Sequence, residues 1–287
     1  MKIFITGSNG QLGLELQKQI SIHSYDHEVV ATDVHTLDIS KLEQVEKMIE
    51  GYKPDVVINC AAYTAVDKCE DDTETAYKVN ALGPRNLAIA CDKVGAKLIH
   101  ISTDYVFSGE LRNTPWRESD TVAPQSVYGA SKLLGEDFVR TFSKRHFILR
   151  TAWLYGEGNN FVRTMLKLAS TQTELKVVDD QFGNPTSTKD LATVILNLMH
   201  TEYFGTYHAT CEGVCSWYDF AKKIFELSGV DITVTKVTSD EFVRPAKRPA
   251  YSALDNMMLK CQGLNTFRPW EDALEDYIKE EKANNKI

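Results

Sequence analysis

The sequence has no apolar run long enough to cross a membrane and no recognisable signal peptide. Its first seven residues contain one short apolar stretch, which ends at Gly7 without the apolar region or cleavage site of a secretory leader. We therefore expect a cytoplasmic protein with no membrane partner.

Basic residues are fewer than acidic ones: 32 lysines and arginines against 40 aspartates and glutamates give a net charge of −8. Such a balance disfavours a surface that binds nucleic acid or anionic lipid. A local basic cluster of Arg244, Lys247 and Arg248 is the exception, because it could still hold a phosphate group of a small ligand.

Cysteines are few and scattered, at Cys60, Cys69, Cys91, Cys211, Cys215 and Cys261. In a cytoplasmic chain of 287 residues this spacing predicts free thiols and not a disulfide framework. His208 lies near two of these cysteines, but three ligands without a second Cys or His pair are a poor zinc signature. We predict no structural metal there.

A short strand, a glycine-rich turn and a helix follow one another at the start of the chain. Lys2–Thr6 is mostly apolar, Gly7, Gly10 and Gly13 are spaced three apart, and leucines at helical spacing follow. Glycines at such a junction permit a tight turn and a close backbone approach, and the helix start attracts phosphate. The spacing differs from Gly-x-Gly-x-x-Gly, but its position predicts a dinucleotide site.

Asp33 ends the second predicted strand, about 20 residues after Gly13. Dinucleotide-binding folds place at this point the carboxylate that bonds the adenosine ribose. No arginine follows to bind a 2′-phosphate, which favours NAD over NADP. The alternative is that Asp33 is a turn residue that binds no ligand.

Strands and helices alternate over residues 1–150. Further strands are predicted at 56–59, 97–102 and 146–150, and a Ser40–Glu43 capping box is predicted to open the helix before the first of them. This pattern predicts an α/β fold, a Rossmann-type doubly wound parallel sheet that binds ligands at the carboxyl ends of its strands. Ala61, Ala62 and Thr103 would join Gly7 and Asp33 at that edge.

Residues 151–287 are predicted to form a smaller C-terminal lobe that binds substrate and packs on the first domain. The alternation becomes looser there, and a segment at about 183–204 is predicted to return to the dinucleotide-binding domain. Helices are expected at 160–170, 188–199, 217–227 behind Ser216 and 270–286, with a strand at 231–237.

Tyr128 and Lys132 stand four residues apart on a predicted helix, so both side chains share one face. A neighbouring ammonium should lower the tyrosine pKa toward neutrality and make the phenol a proton donor and acceptor. The spacing alone is weak, because a tyrosine packed under a solvated lysine is common. With Thr103 to bond the substrate oxygen and a nearby dinucleotide, the set predicts nicotinamide-dependent carbonyl reduction.

Motifs along nearly the whole chain resemble those of the extended short-chain dehydrogenases/reductases. The matching segments are 6–13, 59–67, 102–107, 128–132, 150–155, 180–186, 248–249 and 252–255. Within that superfamily the chain is most similar to sugar-nucleotide reductases. The resemblance implies reduction of the 4-keto group of dTDP-4-dehydro-L-rhamnose to dTDP-L-rhamnose, the last step in making an activated cell-envelope sugar.

The resemblance also implies the residues of two binding sites. The cofactor would be lined by Gly10, Gln11, Leu12, Asp33, Asp38, Ile39, Ala61, Ala62 and Tyr63, together with Tyr128 and Lys132. The sugar nucleotide would meet Thr103, Asp104, Tyr128 and Trp153, with Arg248 from the basic cluster. Such reductases commonly use NADPH and some accept NADH, so both cofactors stay open.

Some members of this superfamily dimerise through Mg²⁺ held by glutamates. Glu15 matches one such position, but Lys189 stands where another acid is expected. We therefore doubt a metal-bridged dimer, keep Mg²⁺ as a secondary candidate, and leave monomer and homodimer open.

Two other functions compete with a reductase. A sugar-nucleotide dehydratase or epimerase would share the fold and the Tyr/Lys pair, but the dehydratases place a glutamate after the Thr-Asp of the fourth strand, where this chain has Tyr105. A non-catalytic regulatory subunit that binds a dinucleotide is the second alternative. Intact Thr103, Tyr128 and Lys132 argue against lost chemistry.

Overall fold

The computed structural model describes residues 1–22 and 27–284, and within these ranges a parallel sheet of six strands forms the centre. The strands of the chain are β1 Lys2–Thr6, β2 Glu28–Thr32, β3 Val56–Asn59, β4 Lys97–Thr103, β5 His146–Thr151, β6 Leu154–Tyr155, β7 Glu174–Val178, β8 Phe182–Gly183, β9 Thr186–Ser187, β10 Gly205–His208, β11 Cys215–Ser216 and β12 Thr233–Val237. The central sheet has the order β10, β5, β4, β3, β1, β2.

Helices cover both faces of this sheet. They are α1 Gln11–Ile22, α2 Leu42–Tyr52, α3 Val66–Asp71, α4 Thr73–Tyr77, α5 Gly83–Val94, α6 Val127–Phe142, α7 Phe161–Ala169, α8 Thr188–Leu198, α9 Trp217–Ser228, α10 Met257–Cys261 and α11 Trp270–Ala283, with a π-helix at Lys78–Leu82. Among the described residues, no helix is both long and apolar enough to cross a membrane.

Alternate residues of the central strands enter two separate hydrophobic cores. Ile3 and Ile5 of β1 pack into the core on one face, whereas Phe4 between them packs into the core on the other. A strand buried on both faces must be apolar throughout, which explains the continuous hydrophobic run of β3. The predicted doubly wound parallel sheet is therefore confirmed.

The strand order reverses beside β1, which pairs with β2 on one side and with β3 on the other. Loops that leave neighbouring strands in opposite directions open a crevice at the carboxyl edge, where α/β proteins bind ligands. The glycine turn after β1 and the small residues after β3 lie at this crevice.

Part of the C-terminal half contributes to the same sheet. β10 pairs with β5 at the sheet edge, and α8 packs against α1. The sequence predicts only an extended segment at 207–209, with no place for it in the sheet. The division into a dinucleotide domain at 1–150 and a substrate lobe at 151–287, with a return at about 183–204, stays a prediction.

Two local predictions need comment. The Ser40–Glu43 capping box is wrong: α2 begins at Leu42, and the Ser40 hydroxyl donates instead to Asp38 Oδ1 at 2.7 Å. Asp38 competes with the helix for this hydroxyl because it lies two residues away, within a local turn. The capping role predicted for Ser216 is confirmed at α9. The predicted end of the last helix at Lys286 lies outside the described residues.

Helix α6 packs unusually close to the π-helix. A Cβ on Gly135 would lie 2.2 Å from the carbonyl oxygen of Asn80, a contact that no side chain could relieve. π-helical turns are rare and frequently mark functional sites. Here the turn brings a buried asparagine against the helix that carries Tyr128.

We expect Gly135→Ala to lower the free energy of unfolding by about 1 to 3 kcal/mol, because the added methyl forces two backbones apart. The matched control is Gly51→Ala, at an exposed position of α2, where an added Cβ meets nothing within 4 Å. That control should raise stability by about 0.5 to 1 kcal/mol. Urea unfolding checks both, and equal effects would contradict the close packing.

Candidate active site

The glycine turn after β1 is shaped by contacts within the protein. Gly7 has a φ of 65°, and a Cβ there would lie 2.6 Å from the backbone nitrogen of Ala61. A Cβ on Gly13 would lie 2.4 Å from the Gly7 carbonyl oxygen, so α1 can pack closely only with glycine at that position. Gly10 is exposed at the tip of the turn and donates its N–H to the Gly7 carbonyl at 3.1 Å.

Asp33 and the glycine turn are directly joined. Its carboxylate accepts hydrogen bonds from the backbone nitrogens of Asn9 at 3.0 Å and Val34 at 2.8 Å. The side chain is half-buried, at the crevice end of β2. The structure thus brings the predicted ribose carboxylate beside the predicted phosphate turn.

The other candidate cofactor residues lie in two parts of the chain, at positions 11–39 and in the loop after β3. Leu12 and Ile39 are buried, and Asp38 accepts hydrogen bonds from the Ser40 backbone and hydroxyl. Gln11 Oε1 is buried without a hydrogen-bond partner among the described residues. Ala61, Ala62 and Tyr63 are half-buried in the loop after β3, and the Ala61 backbone packs directly against Gly7 of the glycine turn.

Asn80 is a site residue that sequence reasoning missed. This fully buried side chain accepts from the Tyr63 backbone nitrogen at 2.8 Å, and it donates to the Tyr63 carbonyl at 3.0 Å and to the Ser131 hydroxyl at 3.1 Å. It therefore joins the crevice loop to α6. Helical periodicity could not identify it, because its direction depends on the π-helical turn.

Thr103, Asp104 and Tyr128 lie together at the end of β4. The Thr103 hydroxyl donates to Asp104 Oδ1 at 2.8 Å and accepts from the backbone nitrogen of Tyr105 at 3.2 Å. Tyr128, half-buried in the first turn of α6, contacts the Tyr105 ring edge-on at 5.5 Å. Ser126 caps this helix and fixes its start.

The predicted lowering of the Tyr128 pKa is wrong for this structure. Burial raises the pKa of the phenol, and the neighbouring Thr103 hydroxyl only partly offsets that increase. Lys132 is buried as well, and its ammonium donates to the Ile101 carbonyl at 2.6 Å. Burial lowers the pKa of Lys132 to about 8, although the charge of Glu136 raises it.

A buried ion pair lies behind Lys132 on the same helix. Glu136 is fully buried and accepts from Arg150 Nε at 2.9 Å, from Arg150 Nη2 at 2.7 Å and from the Ser102 hydroxyl at 2.6 Å. Burial raises the pKa of Glu136, but the hydrogen bonds and charge of Arg150 outweigh it and hold that pKa below its usual value. The pair joins α6 to β4 and β5.

Asp104 is a second acid with a shifted pKa. Its side chain is 4% exposed, its Oδ2 has no hydrogen-bond partner within the described ranges, and burial raises its pKa to about 6. The hydroxyls of Ser252 and Thr103 act in the opposite direction. A buried acid whose pKa is raised toward neutrality suits a site that handles protons.

The two remaining substrate candidates come from the C-terminal half. Trp153 has a φ of 47°, rare for a side chain of this size, and its ring stacks on Trp217 at 3.5 Å. Gly183 lies flat against the same indole. Arg248 is held by Asp67, whose Oδ2 accepts from Nη2 at 2.8 Å.

The described residues contain no group of three or more metal-ligating side chains that could hold an ion. Lys189 forms an ion pair with Glu280, which also faces Lys18, so cations of the protein already neutralise the carboxylates near Glu15. Nothing here supports Mg²⁺. The buried His208 donates from Nδ1 to backbone carbonyls.

Comparisons with known proteins agree on one family. The family model described as the RmlD substrate binding domain matches residues 1–283. The Spore coat polysaccharide biosynthesis protein SpsK of Bacillus subtilis is 43% identical over 98% of both chains.

Two solved structures are similar over nearly their whole length. A dTDP-4-dehydrorhamnose reductase from Clostridium acetobutylicum is 54% identical over 98% of this chain and 100% of that one, with a TM-score of 0.96. A dTDP-4-dehydrorhamnose reductase from Bacillus anthracis in complex with NADP is 44% identical over 97% and 99%, with a TM-score of 0.94.

The raised pKa of Asp104 predicts a pH dependence of stability. The folded protein holds this proton more tightly than the unfolded chain does, so its contribution is complete below the unfolded pKa and is lost as pH rises to about 6. Between about pH 4.5 and about pH 7, wild type should lose about 2 kcal/mol relative to Asp104→Asn.

Urea unfolding at both pH values measures this difference. Asp71→Asn, at an exposed aspartate, is the control and should follow wild type. A constant difference between Asp104→Asn and wild type across the pH range would contradict the buried-acid assignment.

Proposed function

The chain belongs to the RmlD substrate-binding family, and on that premise we propose that it reduces the 4-keto group of dTDP-4-dehydro-L-rhamnose to dTDP-L-rhamnose. The reaction would use a reduced nicotinamide dinucleotide and would be the last step of dTDP-rhamnose biosynthesis. The protein is accordingly an oxidoreductase. We further propose a cytoplasmic location and a monomer or homodimer, with residues 151–287 supplying most of the sugar-nucleotide lobe.

The observation that supports this function is the meeting of Thr103, Tyr128 and Lys132 at the carboxyl edge of the sheet. The Thr103 and Tyr128 hydroxyls are neighbours, so the two can bond one oxygen atom of a substrate. This is the arrangement that reduction of a bound ketone requires.

The residues present fit a dinucleotide. The turn has no side chain at Gly7 or Gly10, Asp33 offers a carboxylate at its flank, and Gln11 Oε1 is buried without a partner among the described residues. Phosphate groups prefer such N–H-rich turns at a helix start, and ribose hydroxyls prefer a carboxylate. A reduced nicotinamide, when bound, supplies the hydride.

Tyr128 would donate a proton to the substrate oxygen. Its raised pKa keeps the phenol protonated at neutral pH, and an alkoxide is basic enough to take that proton. Thr103 would hold the same oxygen by turning its hydroxyl from Asp104 Oδ1, the acceptor of that hydroxyl in this structure, to the substrate. Lys132, one turn along α6, would stabilise the phenolate that remains, because its charge lies in a buried and therefore weakly screened position.

The structure offers the competing functions less support. A dehydratase needs an acid after Asp104, but Tyr105 occupies that position and packs its ring against Tyr128. A regulatory subunit would have no need of a buried Lys132 and a shifted Asp104 at the same edge. Such a subunit would bind cofactor without oxidising it and would co-purify with a partner enzyme.

Loss of reduced-nicotinamide absorbance with dTDP-4-dehydro-L-rhamnose tests the reaction. NADPH and NADH are compared, and the dehydratase product that has not been epimerised serves as the control substrate. We expect turnover with the epimerised sugar. No turnover with either cofactor would refute the proposal.

Tyr128→Phe should lower kcat by ~10³-fold or more, because it removes the proton donor while keeping the ring. Cofactor affinity, measured by fluorescence of the bound reduced nicotinamide, should stay nearly unchanged. Tyr203→Phe, at an exposed tyrosine, is the control. Turnover of wild-type size in Tyr128→Phe would remove this residue from the proton-donor role.

Asp33 should set the cofactor preference. Its carboxylate favours the free ribose hydroxyl of NADH and repels the 2′-phosphate of NADPH. Asp33→Asn keeps an acceptor for the Asn9 N–H and should raise the ratio of kcat/KM for NADPH over NADH ~10-fold. An unchanged ratio would show that the 2′-position lies away from this residue.

A further inference from the structure

Short helix α3 contacts the site from two sides with two carboxylates. Asp67 and Glu70 are three residues apart and so share one face of the helix. Glu70 Oε1 accepts from the backbone nitrogen of Val127 at 2.9 Å, at the first turn of α6 and next to Tyr128. Asp67, one turn before Glu70 on that face, bonds the loop 244–249 of the C-terminal half.

Asp67 holds that loop through two bonds. Its Oδ2 accepts from Arg248 Nη2 at 2.8 Å, and its Oδ1 accepts from the backbone nitrogen of Ala246 at 3.3 Å. Ala246 is buried, and its carbonyl accepts in turn from Arg248 Nη1 at 3.3 Å. The ion-paired side chains are only 30% and 23% exposed, so water screens them less than a surface pair.

The ring of Tyr105 lies between this loop and Tyr128. Tyr105 contacts Tyr128 edge-on, and the charges of both Arg248 and Asp67 act on the Tyr105 hydroxyl. Arg248 also lines a small cleft with Lys247, Ser126 and Tyr105. Two cations at one cleft match a diphosphate, and a guanidinium with donors left over can bind it through paired hydrogen bonds.

We propose that Asp67 is a positioning residue, which through α3 holds Arg248 at a fixed separation from Tyr128 so that the sugar-nucleotide diphosphate and its ketone are bound together. The inference rests on the proposed function for the identity of the diphosphate. The same short helix fixes both ends of the substrate: Glu70 sets the start of α6, and Asp67 sets the guanidinium.

A double-mutant cycle of Asp67→Asn and Arg248→Gln tests whether the two residues act as one unit. The probe is dTDP, measured by calorimetry on the full chain. We expect Asp67→Asn to weaken dTDP binding ~10-fold, the size of one charge-assisted hydrogen bond. In the Arg248→Gln background it should add nothing, because its partner is already gone. Asp71→Asn, on the same helix but exposed, is the matched control.

Turnover separates positioning from catalysis. Asp67→Asn should raise the KM for the sugar nucleotide about as much as it weakens dTDP binding, while kcat changes less than ~3-fold. A purely structural role would instead lower the melting temperature and leave KM unchanged. Multiplicative effects of the two substitutions on dTDP binding would overturn the proposal.

Limited trypsin digestion gives a readout that needs neither substrate nor turnover. Arg244 and Arg248 both precede proline, where trypsin does not cut, so the bond after Lys247 is the cleavage site within residues 244–249. Asp67→Asn should speed this cut ~5-fold over wild type and over Asp71→Asn, because the loop opens more often.

The outcomes separate the two proposals. If wild type neither turns over nor binds dTDP, the proposed function fails, and the digestion alone decides the role of Asp67. Equal cutting of Asp67→Asn and Asp71→Asn would overturn that role, whatever the substrate proves to be.

Discussion

The buried carboxylate of Glu136 is the constraint on which the site depends. Arg150 and Ser102 both bond it, so α6, β5 and β4 are joined at one point inside the protein. An ion removed from water is tolerated only when its partners are well placed, and removal of one partner costs about 3 to 5 kcal/mol. The pair therefore specifies one position of α6 on the sheet, and with it the place of Tyr128 and Lys132.

Burial also governs the charge state of the site. It raises the pKa values of Tyr128 and Asp104 and lowers that of Lys132, so all three groups are shifted toward their neutral forms. The expectation from sequence was the opposite for the tyrosine, since it considered only the attraction between a cation and a phenolate. Desolvation has the largest effect on the phenol, and Lys132 directs its ammonium to a strand carbonyl.

Much of the fold and of the cofactor edge could be predicted, because those features depend on residues close in sequence. The apolar strands, the turn at Gly7 and Gly13 and the carboxylate of Asp33 follow from hydrophobic periodicity and backbone sterics. Asn80 could not be found in this way. Its role depends on a π-helical turn and on Ser131, 51 residues away. Contacts over such a distance do not show in the hydrophobic periodicity of the sequence.

By itself, the sequence determined the alternation of strands and helices, the glycine turn and the residue types of the site, because each follows from local sterics and burial. Tertiary structure alone decided that β10 joins the sheet, that Lys132 bonds a carbonyl and that Asp67 reaches Arg248 across 181 residues. Contacts of this kind join segments that are far apart in sequence. They form only when the whole chain packs, so local sequence patterns cannot predict them.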